Sequence, residues 1–264
     1  MAARPYAREM RRVLQSAMAR IENPYFPLMA HRPEDRILVL VLTGNKGLCG
    51  AFNTNVIRRA LELLREHTQQ RVRVIPIGKK GRDALRKRRV DLADEYTNLS
   101  ASVEFSQAKE IASRVIEMFS SGEVDAVYAV YNEFKSVLTQ RLLVEKLLPI
   151  EAEQLGGNGR NETGVDRTDR LADERAVLHM DYIYEEPPEE IYTKLLPRYV
   201  ETHVFRVLLE SSAAEHAARM TAMDSATNNA GELIEQLTLY MNKVRQAAIT
   251  KEIIEVVGGA ASTD

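Results

Sequence analysis

The chain has 264 residues, 45% of them hydrophobic, which is enough for one globular core with an extended element or for two small domains. Its formal net charge of −2 gives no reason to expect nucleic acid or anionic lipid as the main partner. The longest apolar run, residues 36–43, is far shorter than the roughly 20 residues that cross a bilayer, and the first residues lack the apolar segment of a signal peptide. The single cysteine, Cys49, cannot form an internal disulfide and favours a reducing compartment. We therefore expect any membrane association to occur through another protein.

The first predicted element is a short amphipathic helix between Arg8 and Ile21, which Pro24 and Pro27 end. Its apolar residues recur at helical spacing: Met10, Val13, Leu14, Ala17 and Ile21. We interpret residues 1–22 as a short coiled-coil helix.

Residues 35–186 are predicted to form an α/β domain, because strand-like and helix-like segments alternate along them. This alternation indicates a mostly parallel, doubly wound sheet. Residues 151–174 are rich in Gly, Asn, Asp, Glu and Arg and are predicted to form a mobile surface excursion. The expected strands are Ile37–Thr43, Val72–Ile77, Val124–Tyr131, Val137–Leu148 and Val177–Tyr184, and the expected helices are Asn53–Glu66, Arg82–Arg89 and Ser106–Ser120.

Residues 187–264 are predicted to form a very long shaft helix. Between Arg198 and Val257 there is no proline and only one glycine, so a helix of about 90 Å could run uninterrupted at 1.5 Å per residue. Pro187 and Pro188 mark its approach, and Pro197 is predicted to lie at or near the start of its straight section.

A heptad seam in this helix predicts that it wraps around a partner. Its spacings alternate strictly between four and three residues, and many seam residues are small or polar, which favours close or sliding contact over a stable zipper. We expect the two terminal helices to pair as an antiparallel coiled coil near the domain, which leaves most of the seam without a partner in this chain. The seam residues are Leu209, Ala213, His216, Met220, Met223, Thr227, Ala230, Ile234, Leu237, Met241, Val244, Ala248 and Lys251.

The glycine-rich loop Gly44–Gly50 follows a buried strand and precedes a helix, which is where phosphate-binding loops lie. It lacks the Lys-Ser or Lys-Thr pair of a Walker A loop and the glycine order of a dinucleotide fingerprint. A tight turn with a helix cap is the favoured interpretation. A small nucleotide-binding enzyme of doubly wound fold is the alternative.

The segment Arg71–Arg89 holds nine basic residues against one acid, Asp83. It could meet nucleic acid, an acidic protein surface or lipid headgroups, and a coiled-coil adaptor that holds nucleic acid is a third hypothesis. A solvated helix face is favoured, because no aromatic residues interleave the run to stack on bases. The five histidines show no metal-ligand spacing, and no nucleophile and base cluster can be identified from the order of residues. We predict no catalytic, cofactor-binding or metal-binding residues.

Two stretches of the chain are similar to the gamma subunit of the rotary proton-translocating ATP synthase. One is LTGNKGLCGAFNTN at residues 42–55, and the other runs from Glu210 to Ala260 and includes ARMTAMDSATNNA and NKVRQAAITKEI. The order of elements matches over nearly the whole chain. The chain departs from the family at its start. Residues 1–6 resemble the end of the family's long N-terminal helix, so most of that helix has no counterpart in this sequence. A misassigned start, a truncated sequence and a shortened rotor are all compatible with this.

The resemblance implies a central rotor shaft that couples proton flow through the membrane ring to ATP synthesis. In that family the C-terminal helix enters a hexamer of alpha and beta subunits, and the α/β domain sits on the epsilon subunit and the membrane c-ring. Catalysis belongs to the beta subunits, so a non-catalytic subunit with no cofactor and no nucleic-acid partner is expected. Its expected location is the cytoplasmic face of the bacterial plasma membrane, held there through the complex without direct membrane insertion.

The resemblance also assigns four residues as contacts to the hexamer. These are Arg219, near the middle of the shaft helix, and Gln246, Thr250 and Glu252 near its tip. Sparse polar groups on a helix of small residues fit a shaft that makes and breaks contacts on each turn. Without the resemblance, these four residues would be interpreted as groups that keep the surface soluble.

Overall fold

The computed structural model describes residues 13–14, 26–97, 103–151 and 187–261 of the chain. Strands and helices alternate through the first part, and one helix accounts for all of the last part. In chain order the elements are the 3-10 turn Pro27–Met29, β1 Arg36–Leu42, α1 Phe52–Glu66, β2 Arg71–Ile77, α2 Lys79–Lys87, α3 Phe105–Ser120, β3 Ala126–Phe134, β4 Gln140–Leu148 and α4 Pro188–Ala261.

The four strands form one sheet in the order β2-β1-β3-β4. β1 runs parallel to both neighbours, so that Leu40 pairs with Ile75 on one side and Ala129 on the other, and β4 is antiparallel to β3. Every residue from Ile37 to Leu42 is at most 2% exposed. This confirms the mostly parallel sheet and explains the continuous apolar run of β1, because a central parallel strand is covered on both faces.

Successive side chains of β1 point to opposite faces of the sheet, and each face has its own pair of helices. Leu38, Leu40 and Leu42 pack in one cluster with residues of α3 and α4. Ile37, Val39 and Val41 pack in the other cluster with residues of α1 and α2. The doubly wound arrangement is therefore confirmed.

β4 begins later than predicted. The strand was expected from Val137 but starts at Gln140, because the backbone N–H and C=O of Ser136 and Thr139 bond to each other and close a tight turn. Val137 and Leu138 lie in that turn and are 43% and 84% exposed. The predicted start was too early because two apolar residues in a turn between strands cannot be told from strand residues by their sequence pattern.

α4 has 74 residues, which corresponds to about 110 Å at 1.5 Å per residue. It begins at Pro188, so that Pro197 lies inside the helix. That the straight section starts at or near Pro197 stays a prediction. An internal proline loses one helical hydrogen bond and clashes with the preceding turn. Here Tyr192 and Leu196 on its N-terminal side are buried in the main core, and this packing keeps the chain helical through Pro197.

Parts of the predicted organisation fall outside the described residues. Of the predicted N-terminal helix only Val13 and Leu14 are described; both are helical, and Leu14 is fully buried in the main core. The strand predicted at 177–184 and almost all of the excursion predicted at 151–174 lie outside as well. The antiparallel pairing of the two terminal helices therefore remains a prediction. None of the described helices is long and apolar enough to cross a membrane.

Candidate functional site

α4 leaves the α/β domain beside the loop Gly44–Gly50. A Cβ atom on Gly44 would lie 2.5 Å from a carboxylate oxygen of Glu215, so a side chain at this position would displace that carboxylate. Cys49 and Phe52 are buried against Ala214 of α4 in a small apolar cluster. The loop therefore holds the shaft helix close to the end of β1.

The loop is braced from within by Asn53. Its Oδ1 accepts a hydrogen bond from the backbone N–H of Gly44 at 2.8 Å, and its Nδ2 donates to the backbone oxygen of Lys46 at 3.3 Å and to Cys49 Sγ at 3.1 Å. Burial raises the pKa of the Cys49 thiol, so it is protonated and unreactive near neutral pH. A phosphate would meet the Glu215 carboxylate beside Gly44, and this favours the tight-turn interpretation over nucleotide binding.

The connection between β2 and α2 is locked onto the same end of the sheet through Thr43. The Thr43 hydroxyl accepts a hydrogen bond from the N–H of Gly81 at 2.8 Å and donates to the backbone oxygen of Ile77 at 3.3 Å. Gly78 has a φ of +106°, and a Cβ atom there would lie 2.0 Å from the backbone oxygen of Thr43. We call residues 43–50 and 78–81 the collar: the first segment lies against α4 at Gly44 and Cys49, and the second is held against Thr43 of the first.

A cluster of polar residues joins the proximal part of α4 to β4, the edge strand of the sheet. Glu145 of β4 accepts hydrogen bonds from Arg206 at 2.8 and 3.0 Å and from the Tyr131 hydroxyl at 2.7 Å, and it lies 3.1 Å from Nε2 of His203. Burial alone would raise the pKa of Glu145, but the charges and hydrogen bonds of His203 and Arg206 outweigh it and hold that pKa well below its ordinary value. Burial, and then the Glu145 charge, raise the pKa of the Tyr131 hydroxyl. Glu145 is therefore an anion that binds strand to shaft.

Arg219, one of the four predicted contact residues, lies at the collar. Its Nη2 pairs with the Glu215 carboxylate one turn earlier at 2.5 Å, and the two side chains are 25% and 21% exposed. Leu48 of the collar is 76% exposed. Arg219 therefore presents a charge that is already oriented by an intrahelical partner.

The distal part of α4 carries the other three predicted contacts, Gln246, Thr250 and Glu252, all of which are exposed. Gln246 is 27 residues beyond Arg219, or about 40 Å along the helix, so the structure does not bring the four residues together. Large apolar side chains are exposed over this whole length, which is typical of an interaction surface. These are Leu233, Ile234, Leu237, Leu239, Tyr240, Met241, Val244, Ile249, Ile253, Ile254 and Val256.

Comparison with known proteins identifies the family. Residues 1–263 match the model of the ATP synthase family. The chain is 48% identical over 267 residues to the ATP synthase gamma chain of Solibacter usitatus, covering 100% of this chain and 86% of that protein. It is 44% identical over 263 residues to the gamma chain of Desulfitobacterium hafniense, with the same coverage of 100% and 86%. The chain belongs to the ATP synthase gamma chain family.

Solved structures of ATP synthases share the gamma chain fold seen here. A chain of the Euglena gracilis mitochondrial enzyme, in an assembly of OSCP, F1 and c-ring, aligns with a TM-score of 0.60 at 20% identity and covers 99% of this chain and 91% of that one. A chain of the central stalk and c-ring of the Tetrahymena thermophila mitochondrial enzyme aligns with a TM-score of 0.56 at 24% identity, covering 83% and 85%. At these identities the likeness concerns the fold.

Membership in the gamma chain family agrees with the predicted non-catalytic role, since the relatives are named as a subunit of ATP synthase. It also decides against the nucleotide-binding enzyme as the main function. In the described part of the chain no group of three or more His, Cys, Asp or Glu side chains is arranged to hold a metal ion. The sequence did not reveal Glu215, although its spacing of four residues from Arg219 is the usual signal for an intrahelical ion pair.

Proposed function

We propose that the chain is the central rotor shaft of a proton-translocating ATP synthase, with α4 turning inside a hexamer of alpha and beta subunits. The observation that carries this proposal is the division of α4 into two parts. Tyr192 to Ala217 contribute buried side chains to the domain core, whereas nearly all side chains from Met223 to Val256 are exposed, over a length of about 50 Å at 1.5 Å per residue. A helix that is packed into a domain at one end and exposed over the rest of its length can act as a shaft. Membership in the ATP synthase gamma chain family indicates the complex in which it would turn.

Torque can pass from the domain to the shaft only if the two turn as one body. Three contacts support this: the apolar core around Tyr192 and Val204, the Glu145 cluster on β4, and the collar at Gly44. Together they hold α4 from Tyr192 to Glu215, which is about six and a half turns at 3.6 residues per turn. We propose the division of the chain into a domain, residues 35–186, and a shaft, residues 187–264, whose first turns pack into the core of the domain.

The shaft would act by making different contacts with three otherwise equivalent catalytic sites. A partner's conformation is shifted only by a difference in contacts between its states, and an off-centre helix supplies that difference at each angle. Arg219 would contact the hexamer at its entrance, and Gln246, Thr250 and Glu252 would contact it near the tip. The α/β domain would rest on the epsilon subunit and the membrane c-ring, at the cytoplasmic face of the bacterial plasma membrane.

Rotation itself is the decisive test. A cysteine at Lys109, an exposed position on α3, would carry a bead on the full chain assembled with alpha and beta subunits fixed to a surface. Cys49 is 2% exposed and would compete poorly for the label, and a variant with Cys49→Ala controls for it. We expect the bead to turn in one direction in steps when ATP is added. A complex that hydrolyses ATP while the bead stays still would contradict the proposal.

A further inference from the structure

A groove lies between α1 and α2 on the face of the sheet opposite to α4. Its volume is about 420 Å³, and it is continuous with a neighbouring hollow of about 540 Å³ because Ala84 and Arg88 line both. The half-buried side chains of Ile57, Leu61 and Ala84 form the apolar part of the lining. The exposed side chains of Arg58, Arg65 and Arg88 rise around it.

The charges around this groove are unbalanced. Neighbouring basic residues are neutralised: Arg59 pairs with Glu66 at 2.7 Å and with Glu62 at 3.5 Å, and Arg82 pairs with Asp83 at 2.8 Å. The four basic residues of the groove have no carboxylate within 4 Å in the described part of the chain; they are Arg58, Arg65, Lys87 and Arg88. Arg58 bonds only the Asn55 side chain, and Arg88 bonds the backbone of Ala84.

The dimensions of the groove define what fits it. Its lining residues on α1 recur from Thr54 to Arg65 on one helix face, a length of about 16 Å or three turns. An occupant of the same length with apolar residues toward Ile57 and Leu61 and carboxylates on both flanks would bury the apolar lining and pair the free guanidinium groups. We propose that α1 and α2 form a docking groove for an acidic amphipathic helix of a partner protein.

The same observations disfavour two other polyanions. In the part of the chain that the structure describes, no aromatic side chain lines the groove to stack on bases, which disfavours a nucleic acid. A flat layer of lipid headgroups would reach the exposed arginines but not the apolar residues recessed between two helices. The groove is also separate from the proposed hexamer contacts, because the sheet lies between it and α4.

Fluorescence anisotropy with the full chain tests this inference. The probe is a labelled helical peptide of about 12 residues, three to four turns, with leucines on one face and glutamates on both flanks. Its controls are a peptide of the same composition in scrambled order, vesicles containing phosphatidylglycerol, and duplex DNA. The test variant is Arg58→Glu with Arg88→Glu, and the matched control is Lys109→Glu with Arg198→Glu, which makes the same change in net charge at exposed positions outside the groove.

We expect the amphipathic peptide to bind more tightly than the scrambled one, and the groove variant to weaken its binding at least about tenfold. The Lys109 and Arg198 variant should stay within about twofold, and Ile57→Ser should weaken binding without changing its dependence on salt. Circular dichroism melts establish that each variant is folded, and Arg58→Gln with Arg88→Gln replaces the test variant if it is not. Equal binding of the two peptides, an equal loss in both charge variants, or tighter groove-dependent binding of vesicles or DNA would overturn the inference.

Discussion

Two glycines show how much depends on a missing side chain in this protein. Gly78 adopts a backbone conformation with positive φ and lies against the backbone of Thr43, so the contact between the β2–α2 connection and β1 requires the absence of a Cβ atom. Gly231 is a glycine in the middle of α4, and a Cβ atom added there would meet nothing within 4 Å. Glycine is therefore required at Gly78 in the collar, whereas at Gly231 it only lowers the local stability of the helix.

We predict that Gly78→Ala lowers the free energy of unfolding by about 2 to 4 kcal/mol, since it combines backbone strain with a clash against a main-chain atom. Gly231→Ala should raise the stability of the helix by about 0.5 to 1 kcal/mol, because alanine is the better helix former at an open position. Urea denaturation followed by circular dichroism measures the first change, and amide exchange around Gly231 measures the second. Equal midpoints for the two variants would contradict the described collar.

Glu145 makes the stability of the chain sensitive to acid. A carboxyl whose pKa is lower in the folded than in the unfolded state stabilises the fold above its unfolded value, near 4.5, and this stability is lost as the pH falls below that value. We predict that Glu145→Gln costs about 2 to 3 kcal/mol at pH 7, because Arg206 and His203 lose their anionic partner in a partly buried site.

The pH dependence separates this role from simple packing. Wild type should lose more stability than Glu145→Gln between about pH 5 and pH 2, so that the difference between them shrinks toward low pH. Denaturant melts at several pH values give the comparison, and Glu110→Gln on the exposed surface of α3 serves as the matched control. A constant difference across the pH range would show that the Glu145 charge contributes nothing.

α4 combines two environments in one element. Many side chains up to Ala217 are buried, including every one from Tyr199 to Val204, and those from Met223 to Val256 are nearly all exposed. An isolated helix in water is only marginally stable, and most helical stability in proteins comes from packing. The two parts should therefore differ in local stability although no break in the helix divides them.

We predict that truncation after Gly231 leaves the cooperative melt of the domain almost unchanged, because the removed residues contribute nothing to the described core. Truncation after Val207 is the control and should abolish the melt, because it removes Leu208, Ala214 and the ion pair at Arg219. In the intact chain, amide exchange should be slow up to about Ala217 and fast from about Met223 onward. Slow exchange at the tip of the isolated chain would contradict this division.

The outline of this fold follows from local sequence patterns, whereas the contacts that hold it together do not. The apolar run of β1 and the long proline-free stretch after Arg198 predict a buried strand and a shaft because each pattern is set by neighbouring residues. The bond between Glu145 and Arg206 joins residues 61 positions apart, and no local period encodes it. The helix likewise continues through Pro197 because packing against distant core residues outweighs the local preference of proline.

At the scale of the whole molecule, coupling and folding should be separable. We predict that alanine substitutions at Arg219, Gln246, Thr250 and Glu252 impair assembly or coupled ATP synthesis in the reconstituted complex. The same substitutions should change the melting of the isolated chain little, because exposed polar substitutions usually stay within about 0.5 kcal/mol of neutral and a surface ion pair such as that of Arg219 contributes about 0 to 1 kcal/mol.

Each of the four substitutions is compared with alanine at Glu235, which is exposed on the same helix outside the predicted set. ATP synthesis, ATP hydrolysis and the yield of assembled complex are the measurements. Wild-type values for all four variants, singly and combined, would show that these residues carry no torque. The rotor role would then rest on other parts of the shaft.

The exposed apolar length of α4 also bears on how the complex is assembled. A free copy of this chain presents leucines, isoleucines and a tyrosine to water along tens of ångströms, at Leu237, Tyr240 and Ile254 among others. Surfaces of this kind promote self-association at a rate that rises with concentration, whereas enclosure by partner subunits removes them from solution. We therefore expect the isolated chain to self-associate as its concentration rises. The exposed apolar surface that would let α4 bind partner subunits would therefore also limit the concentration at which the free chain stays monomeric.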